Sequence, residues 1–280
     1  MRPRVVCVGL ATFDTIFVVP ELPTSGGRVV GSECMGAGGG PAATAAVTLA
    51  RLGVPVAFVG AVGADEVGAS VREGLEREGV DISHLEVVRG GRSPRSTILV
   101  EEESGERAIV HHPGTVHPLR LSDAALRLCR EADWVHVDHA GFGAVPRDGV
   151  RLSIDGGNPI PDLDVSGVAL YAPTEARLRQ VFGSPEDALA AGAKLVVVTR
   201  GSGGSSAHLP DGETVEVPAP PVRPVSTLGA GDVFHGALLA ALLRERPLRD
   251  ALDFANRVAA QSTRALDARS AIPTSQEVSA

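Results

Sequence analysis

Short apolar runs alternate with amphipathic stretches along most of this chain. VVCVGL (5–10), VAFVGAVG (56–63), WVHVDHAG (134–141), VRLSIDGG (150–157), VALYAPT (168–174) and KLVVVTRG (194–201) each read as a buried strand ending in glycine or polar punctuation. VGASVREGLEREG (67–79) and DAALRLCREA (123–132) repeat their apolar residues at helical spacing. Strands alternating with helices predict an α/β fold, a doubly wound and mostly parallel sheet flanked by helices. Ligands of such sheets sit beyond the C-terminal strand ends, where Asp14, His139 and Gly201 are expected. Two stretches break the alternation. Residues 15–35 hold strand-like pieces, IFVVP and RVVGSEC, with no helix between them, and 96–112 read as a hairpin, STILVEE and RAIVHH around ESGE. Together they predict four short strands outside the main sheet, either a flap over the strand ends or a pair of edge hairpins.

Two glycine-led blocks carry candidate chemistry. In VSTLGAGDVFHGALLAALL (225–243) a small-residue loop opens into an apolar helix. The first N–H groups of a helix lack partners and carry partial positive charge. Gly229, Ala230 and Gly231 would let an anion approach those amides closely. Asp232 then has two readings, a helix-start residue favoured by the dipole or a base for an attacking hydroxyl. The second block, GAGGGPAATAAVTLARLG (36–53), places Pro41 at a helix start after three adjacent glycines. It lacks dinucleotide-binding GxGxxG spacing, and no strand is expected to lead straight into it. A second apolar-periodic helix is expected at about 248–266.

Composition narrows the classes. At 280 residues, 44% hydrophobic and 21% charged, the chain is an ordinary globular one, read as a single domain over 1–280. A net charge of −8 without a Lys/Arg cluster argues against nucleic acid. Cys7, Cys34 and Cys129 are scattered and odd in number, as in a reduced cytoplasmic protein. No targeting or membrane-spanning run is visible. The only lysine is Lys194, and neither a Walker loop nor a protein-kinase lysine motif exists, so any nucleotide phosphates must meet backbone amides, arginines and a metal. His111, His112, His117, His136 and His139 cluster in the middle third, without HxxxH or CxxC spacing. They read as packed or solvated residues in preference to zinc ligands. His139, at a strand end, is a candidate substrate contact.

GAGD before an apolar helix, with GG before a small-residue helix ending in a leucine–glycine turn, resembles the ribokinase-like (PfkB) carbohydrate kinases. The resemblance covers nearly the whole chain and implies a β-sheet lid, often the dimer contact. It implies ATP and Mg²⁺ as cofactors, a small sugar as substrate and a homodimer through the lid. By that resemblance Gly229, Ala230 and Gly231 form the anion hole and Asp232 is the base. Gly39 and Gly40 approach the sugar, and Asp14 accepts bonds from its hydroxyls. Thr44 stands where many members have asparagine. Thr199, Gly201 and Gly204, in VTRGSGG, match the loop around the nucleotide phosphates, with Arg200 a free cation beside it. Glu175 matches the glutamate of an N-x-x-E motif that orders water around Mg²⁺, and Ala172 stands for its asparagine.

GGGPAAT with DVFHGAL is similar to the sulfofructose kinases, and STLGAGD with PDG upstream to the ketohexokinases. Arg28 keeps a cation where the former carry lysine, while Ser32 and Glu33 replace their arginine and asparagine. The expected acceptor is therefore a ketohexose, neutral or sulfonated. Ser226 replaces an aspartate that helps bind an activating monovalent cation, which puts potassium activation in doubt. A nucleoside kinase of the same fold, a non-catalytic sugar or nucleotide sensor, and a Rossmann-type oxidoreductase are the competing readings. The last lacks a strand-linked GxGxxG with its acidic partner.

Overall fold

The computed structural model describes residues 2–278. In chain order its strands are β1 (Val5–Val8), β2 (Thr12–Val19), β3 (Glu33–Gly39), β4 (Val56–Gly63), β5 (Asp81–Val88), β6 (Arg95–Glu101), β7 (Arg107–His112), β8 (Trp134–Val137), β9 (Leu152–Gly156), β10 (Leu170–Pro173), β11 (Val196–Thr199), β12 (Ser205–His208) and β13 (Thr214–Val217). The helices are α1 (Pro41–Arg51), α2 (Glu66–Arg77), α3 (Asp123–Glu131), α4 (Glu175–Val181), α5 (Pro185–Ala190), α6 (Ala230–Leu243) and α7 (Leu248–Ser262).

Nine strands form the large sheet in the order β13-β12-β11-β10-β9-β8-β1-β4-β5. It is parallel except at β12 and β13, which pair antiparallel as a terminal hairpin. The alternation of side chains along a strand explains the two faces. Val5 and Cys7 of β1 point into one core with α1, α2, α6 and α7, and Val6 and Val8 into another with α3, α4 and α5. From β1 the order runs one way to β4 and β5 and the other way to β8 and its successors, so the crevice at the switch point opens beyond β1 and β8. Helix α6 is apolar on every side because it is buried nearly throughout, from Val233 to Ala241, between the sheet, α1 and α7. Burying its Leu238 and Leu239, both fully covered, contributes roughly 1.5–3 kcal/mol each.

The four strands outside the main sheet are present, as a small sheet ordered β3-β2-β6-β7. Its β6–β7 hairpin matches the pattern, while β2 pairs parallel to β6. Three differences from the expectation have local causes. The small sheet begins at Thr12, so Asp14 lies inside β2 and not in a loop after β1. RVVGSEC yields a strand only from Glu33, which continues as β3 through the glycines to Gly39. A strand therefore does lead into α1, but it belongs to the small sheet, pairing antiparallel with β2. Helix α7 ends at Ser262, four residues short of the expected end. Ile16, Ile98 and Val100 pack the inner face of the small sheet against Leu228 and Leu266 of the body.

Candidate active site

The start of α6 is the centre of the site. Gly229 is the N-cap, with φ 68°, a left-handed conformation that glycine adopts without strain. Ala230 and Gly231 thus belong to the first helical turn. The Ala230 N–H reaches the Thr227 carbonyl at 3.4 Å, and the Val233 N–H the Gly229 carbonyl at 2.9 Å. Among the described residues the N–H groups of Gly229, Gly231 and Asp232 have no protein acceptor. An open helix terminus of this kind can accept an anion. Asp232, largely covered beside it, has its pKa raised by burial first and then by the carboxylates of Asp155 and Asp138, with His235 and Arg269 opposing. A carboxylate so raised suits proton transfer near neutral pH.

Asp14, in β2, is buried with 6% exposure. The Thr12 hydroxyl donates to its Oδ1 at 2.9 Å. Burial raises its pKa, against the hydroxyls of Thr12 and Ser96 and the charges of Arg269 and His111. Gly39, opposite Thr12 in the antiparallel ladder, comes so close that a methyl there would collide with the Asp14 carboxylate and the Thr12 hydroxyl. Gly40 follows as the residue before α1.

Arg269, which the sequence patterns did not flag, joins the two centres. Its Nε donates to Thr44 Oγ1 at 3.2 Å and its Nη2 to the Gly39 carbonyl at 2.8 Å. Burial pulls its pKa down to about 10, while Asp14 and Asp232 lie near enough to hold it up. Thr44 is wholly buried, its hydroxyl occupied by this guanidinium. It stands behind the surface a sugar would touch. No hydrophobic period marks Arg269; it lies in the irregular segment after α7.

Asp138 was equally invisible. Just past β8, it accepts from the N–H groups of Leu10 (2.8 Å), Ala42 (3.2 Å), Ala140 (2.8 Å) and Gly141 (3.0 Å). It thereby ties the ends of β1 and β8 to the start of α1. His139 next to it is half-buried, with Nδ1 buried and unpartnered among the described residues. Burial lowers the pKa values of His111 and His117, opposed by Asp14 at the first and by Asp138 at the second.

The remaining candidates lie at other strand ends. Glu175 opens α4 behind its Thr174 cap and pairs with Arg179 at 3.2 Å. Thr199 ends β11, its hydroxyl 3.5 Å from the Pro173 carbonyl, and Gly201 and Gly204 flank the turn that follows. Arg200 is not a free cation there: it pairs with Glu216 of β13 at 3.6 Å. Arg28 is exposed in the loop between β2 and β3 and has no ionic or hydrogen-bonding partner among the described residues. Ser226 is buried, its Oγ accepting from the Leu228 N–H at 3.2 Å. Among the described residues no helix is long and apolar enough to cross a membrane.

A small sheet beside an α/β body, a covered carboxylate and an open helix start make up the candidate site. Residues 2–152 and 162–275 match the family described as pfkB family carbohydrate kinase, and the chain belongs to that family. It is similar to an ATP-dependent ribose-1-phosphate kinase of Halopiger xanaduensis, 33% identical over 99% of this chain and 97% of the relative. A fructokinase of Salmonella typhimurium is 31% identical over 93% and 95% of the two chains. The structure of Arabidopsis thaliana ribokinase complexed with ribose and ATP superposes with a TM-score of 0.85 at 25% identity, covering 99% of this chain and 98% of that one. The chain is thus an ATP-dependent sugar kinase, a phosphotransferase with an alcohol acceptor, of a family that uses ATP with Mg²⁺. The oxidoreductase reading is set aside.

Proposed function

We propose that this chain transfers the γ-phosphoryl group of ATP to the primary hydroxyl of a ribose-type sugar, ribose or ribose 1-phosphate. The single observation carrying the chemistry is Asp232, a covered carboxylate on a helix start whose amides are free. Asp232 takes the hydroxyl proton as that oxygen bonds to the γ-phosphorus and the bond to the β-phosphate oxygen breaks, releasing ADP. The N–H groups of Gly229, Gly231 and Asp232, with that of Ala230 at the edge, meet the charge on the transferred group. Asp14 accepts sugar hydroxyls beside Gly39 and Gly40, and His139 donates or accepts at the crevice. Arg269, held by Thr44 and the Gly39 carbonyl, places its charge near both carboxylates and favours an ionised Asp232.

Thr199, Gly201 and Gly204 line the nucleotide phosphates. Mg²⁺ supplies charge neutralisation on those phosphates when bound. The partly exposed Glu175 carboxylate suits an ion that keeps most of its waters, whereas Ala172 offers no side-chain ligand. Arg28, unpaired in the lid, suits an anionic acceptor such as ribose 1-phosphate.

The identities of the relatives move the substrate away from the ketohexose expected from the motifs. A ketohexose, neutral or sulfonated, remains the second reading, favoured by the fructokinase similarity. We further propose that the chain works as one kinase unit whose small sheet is lid and homodimer contact. The exposed Ile109 and Val110 of that sheet and Val30 in its β2–β3 loop support this, and light scattering in solution tests it. Three unpaired cysteines suit a reducing cytoplasm.

ADP release with Mg²⁺ across ribose, ribose 1-phosphate, fructose, fructose 6-phosphate, sulfofructose and adenosine tests the reading. The highest kcat/KM is expected for ribose or its 1-phosphate. Adenosine turning over alone would make it a nucleoside kinase, and ATP binding without turnover a sensor.

A further inference from the structure

Directly behind Asp232 the sheet and α6 enclose three side chains that the kinase chemistry leaves unassigned. His136 of β8 and Asp155 of β9 project from neighbouring parallel strands to the same face, and His235 points down from α6, three residues after Asp232. All three are buried, at 0%, 3% and 5% exposure. One ligand atom from each lies within 4.8 Å of the others.

The orientation of these atoms is the informative part. His235 Nδ1 pairs with Asp155 Oδ2 at 3.2 Å, a buried imidazole–carboxylate contact. His136 Nε2 is buried without any partner among the described residues. Two ring nitrogens and a carboxylate oxygen thus converge in one small buried volume, with His235 and Asp155 already paired and His136 Nε2 left over. The opposite ring atoms are already held: His136 Nδ1 by Ser153 Oγ at 3.1 Å, and His235 by the Ala172 carbonyl. Asp155 Oδ1 accepts the Gly157 N–H at 2.7 Å. Outer partners of this kind orient metal-ligating imidazoles and carboxylates.

We propose that His136, Asp155 and His235 form a buried site for a divalent transition-metal ion of the zinc type. Two imidazoles and one carboxylate are a borderline-soft donor set; Mg²⁺ and Ca²⁺ prefer oxygen alone. Ligand atoms around a tetrahedral zinc stand about 3.3 Å apart, given bonds near 2.0–2.1 Å. The 3.2 Å pair is already at that spacing, and a rotamer adjustment of His136 closes the rest. Bound there, the ion links β8 and β9 to α6 and fixes the helix that presents Asp232. Binding releases any proton on His235. The ion is separate from nucleotide-bound Mg²⁺, and the proposal stands whichever sugar is the acceptor.

The test is Co²⁺ and Zn²⁺ binding to the chelator-stripped full chain, without nucleotide. One Co²⁺ per chain with the intense visible bands of a four-coordinate site is expected, together with a raised Tm on adding Zn²⁺. His136→Gln and Asp155→Asn, checked for folding by circular dichroism, should abolish both signals. X-ray absorption of the zinc-loaded wild type provides an assignment independent of either variant. Two imidazoles with oxygen and no sulfur support the site. Absence of stoichiometric binding, a sulfur-containing or all-oxygen shell, or binding unchanged in the folded variants would overturn it.

Discussion

Two helices in this molecule begin alike in sequence and differ in what their first turns leave open. Helix α1 follows Gly39–Gly40 and α6 is capped by Gly229, each running into small residues. At α1 the early amides are used by the protein itself. Ala42 donates to Asp138 Oδ2, Ala43 to the Leu10 carbonyl and Thr44 to the Gly40 carbonyl. At α6 the amides of Gly231 and Asp232 have no such acceptor among the described residues. The first start is closed by an internal carboxylate; the second awaits an anion. A glycine-led helix is therefore a ligand site only where the fold withholds its own acceptor.

The comparison breaks most visibly at Asp232. Asp232→Asn should lower kcat by about 10²–10⁴-fold, the usual contribution of a general base, with little change in sugar KM. Stability should move the other way. Because the folded pKa of Asp232 is raised, the folded state holds its proton more tightly than the unfolded chain does. Stability attached to this group is present below the ordinary carboxylate pKa and is lost as pH rises through the raised value. Asp232→Asn should therefore melt higher than wild type at neutral pH, with the gap shrinking towards acid. The rising limb of kcat/KM against pH should likewise lie above the ordinary carboxylate range. A limb near pH 4, with an unchanged Tm, would remove Asp232 from the role.

At the closed start the same kind of change should act on folding. In Asp138→Asn the side-chain NH₂ must face N–H donors now satisfied by a carboxylate oxygen. Urea unfolding should show a loss of about 3 kcal/mol, because buried donors are left unpaired. Turnover per folded molecule should fall much less than in Asp232→Asn.

Gly39→Ala sharpens the contrast further, since its methyl would push on Asp14 and not on the α1 amides. Sugar KM should rise roughly tenfold, about 1.4 kcal/mol, while ATP KM holds. The smallest effect is expected from replacing Na⁺ by K⁺. Ser226 offers a hydroxyl already engaged with Leu228 and no carboxylate, so kcat should stay the same within error.

Much of this architecture was legible in the chain because it rests on local periodicity. The strands at 56–63 and 134–137, helix α2, the β6–β7 hairpin and Pro41 at the head of α1 all follow from nearest-neighbour chemistry. Strand β5 and the β12–β13 hairpin carried weaker patterns and were not anticipated. Side chains that act at long range left no periodic mark. Arg269 reaches Gly39 across 230 positions, and Asp138 reaches Leu10 across 128. Arg200, which looked free beside its glycines, finds Glu216 only because β11, β12 and β13 lie side by side.

The sequence by itself determined the α/β alternation, the small-residue helices and the glycines at their heads, because these depend on residues within a turn or two. Tertiary structure decided which helix start stays open, where Asp14 lies and how Arg269 joins it to Asp232. It also decided that His136 and His235, 99 positions apart, converge with Asp155 in one small buried volume. Acceptors, counter-charges and converging ligands come from distant segments, and only the folded chain brings them within reach of one another.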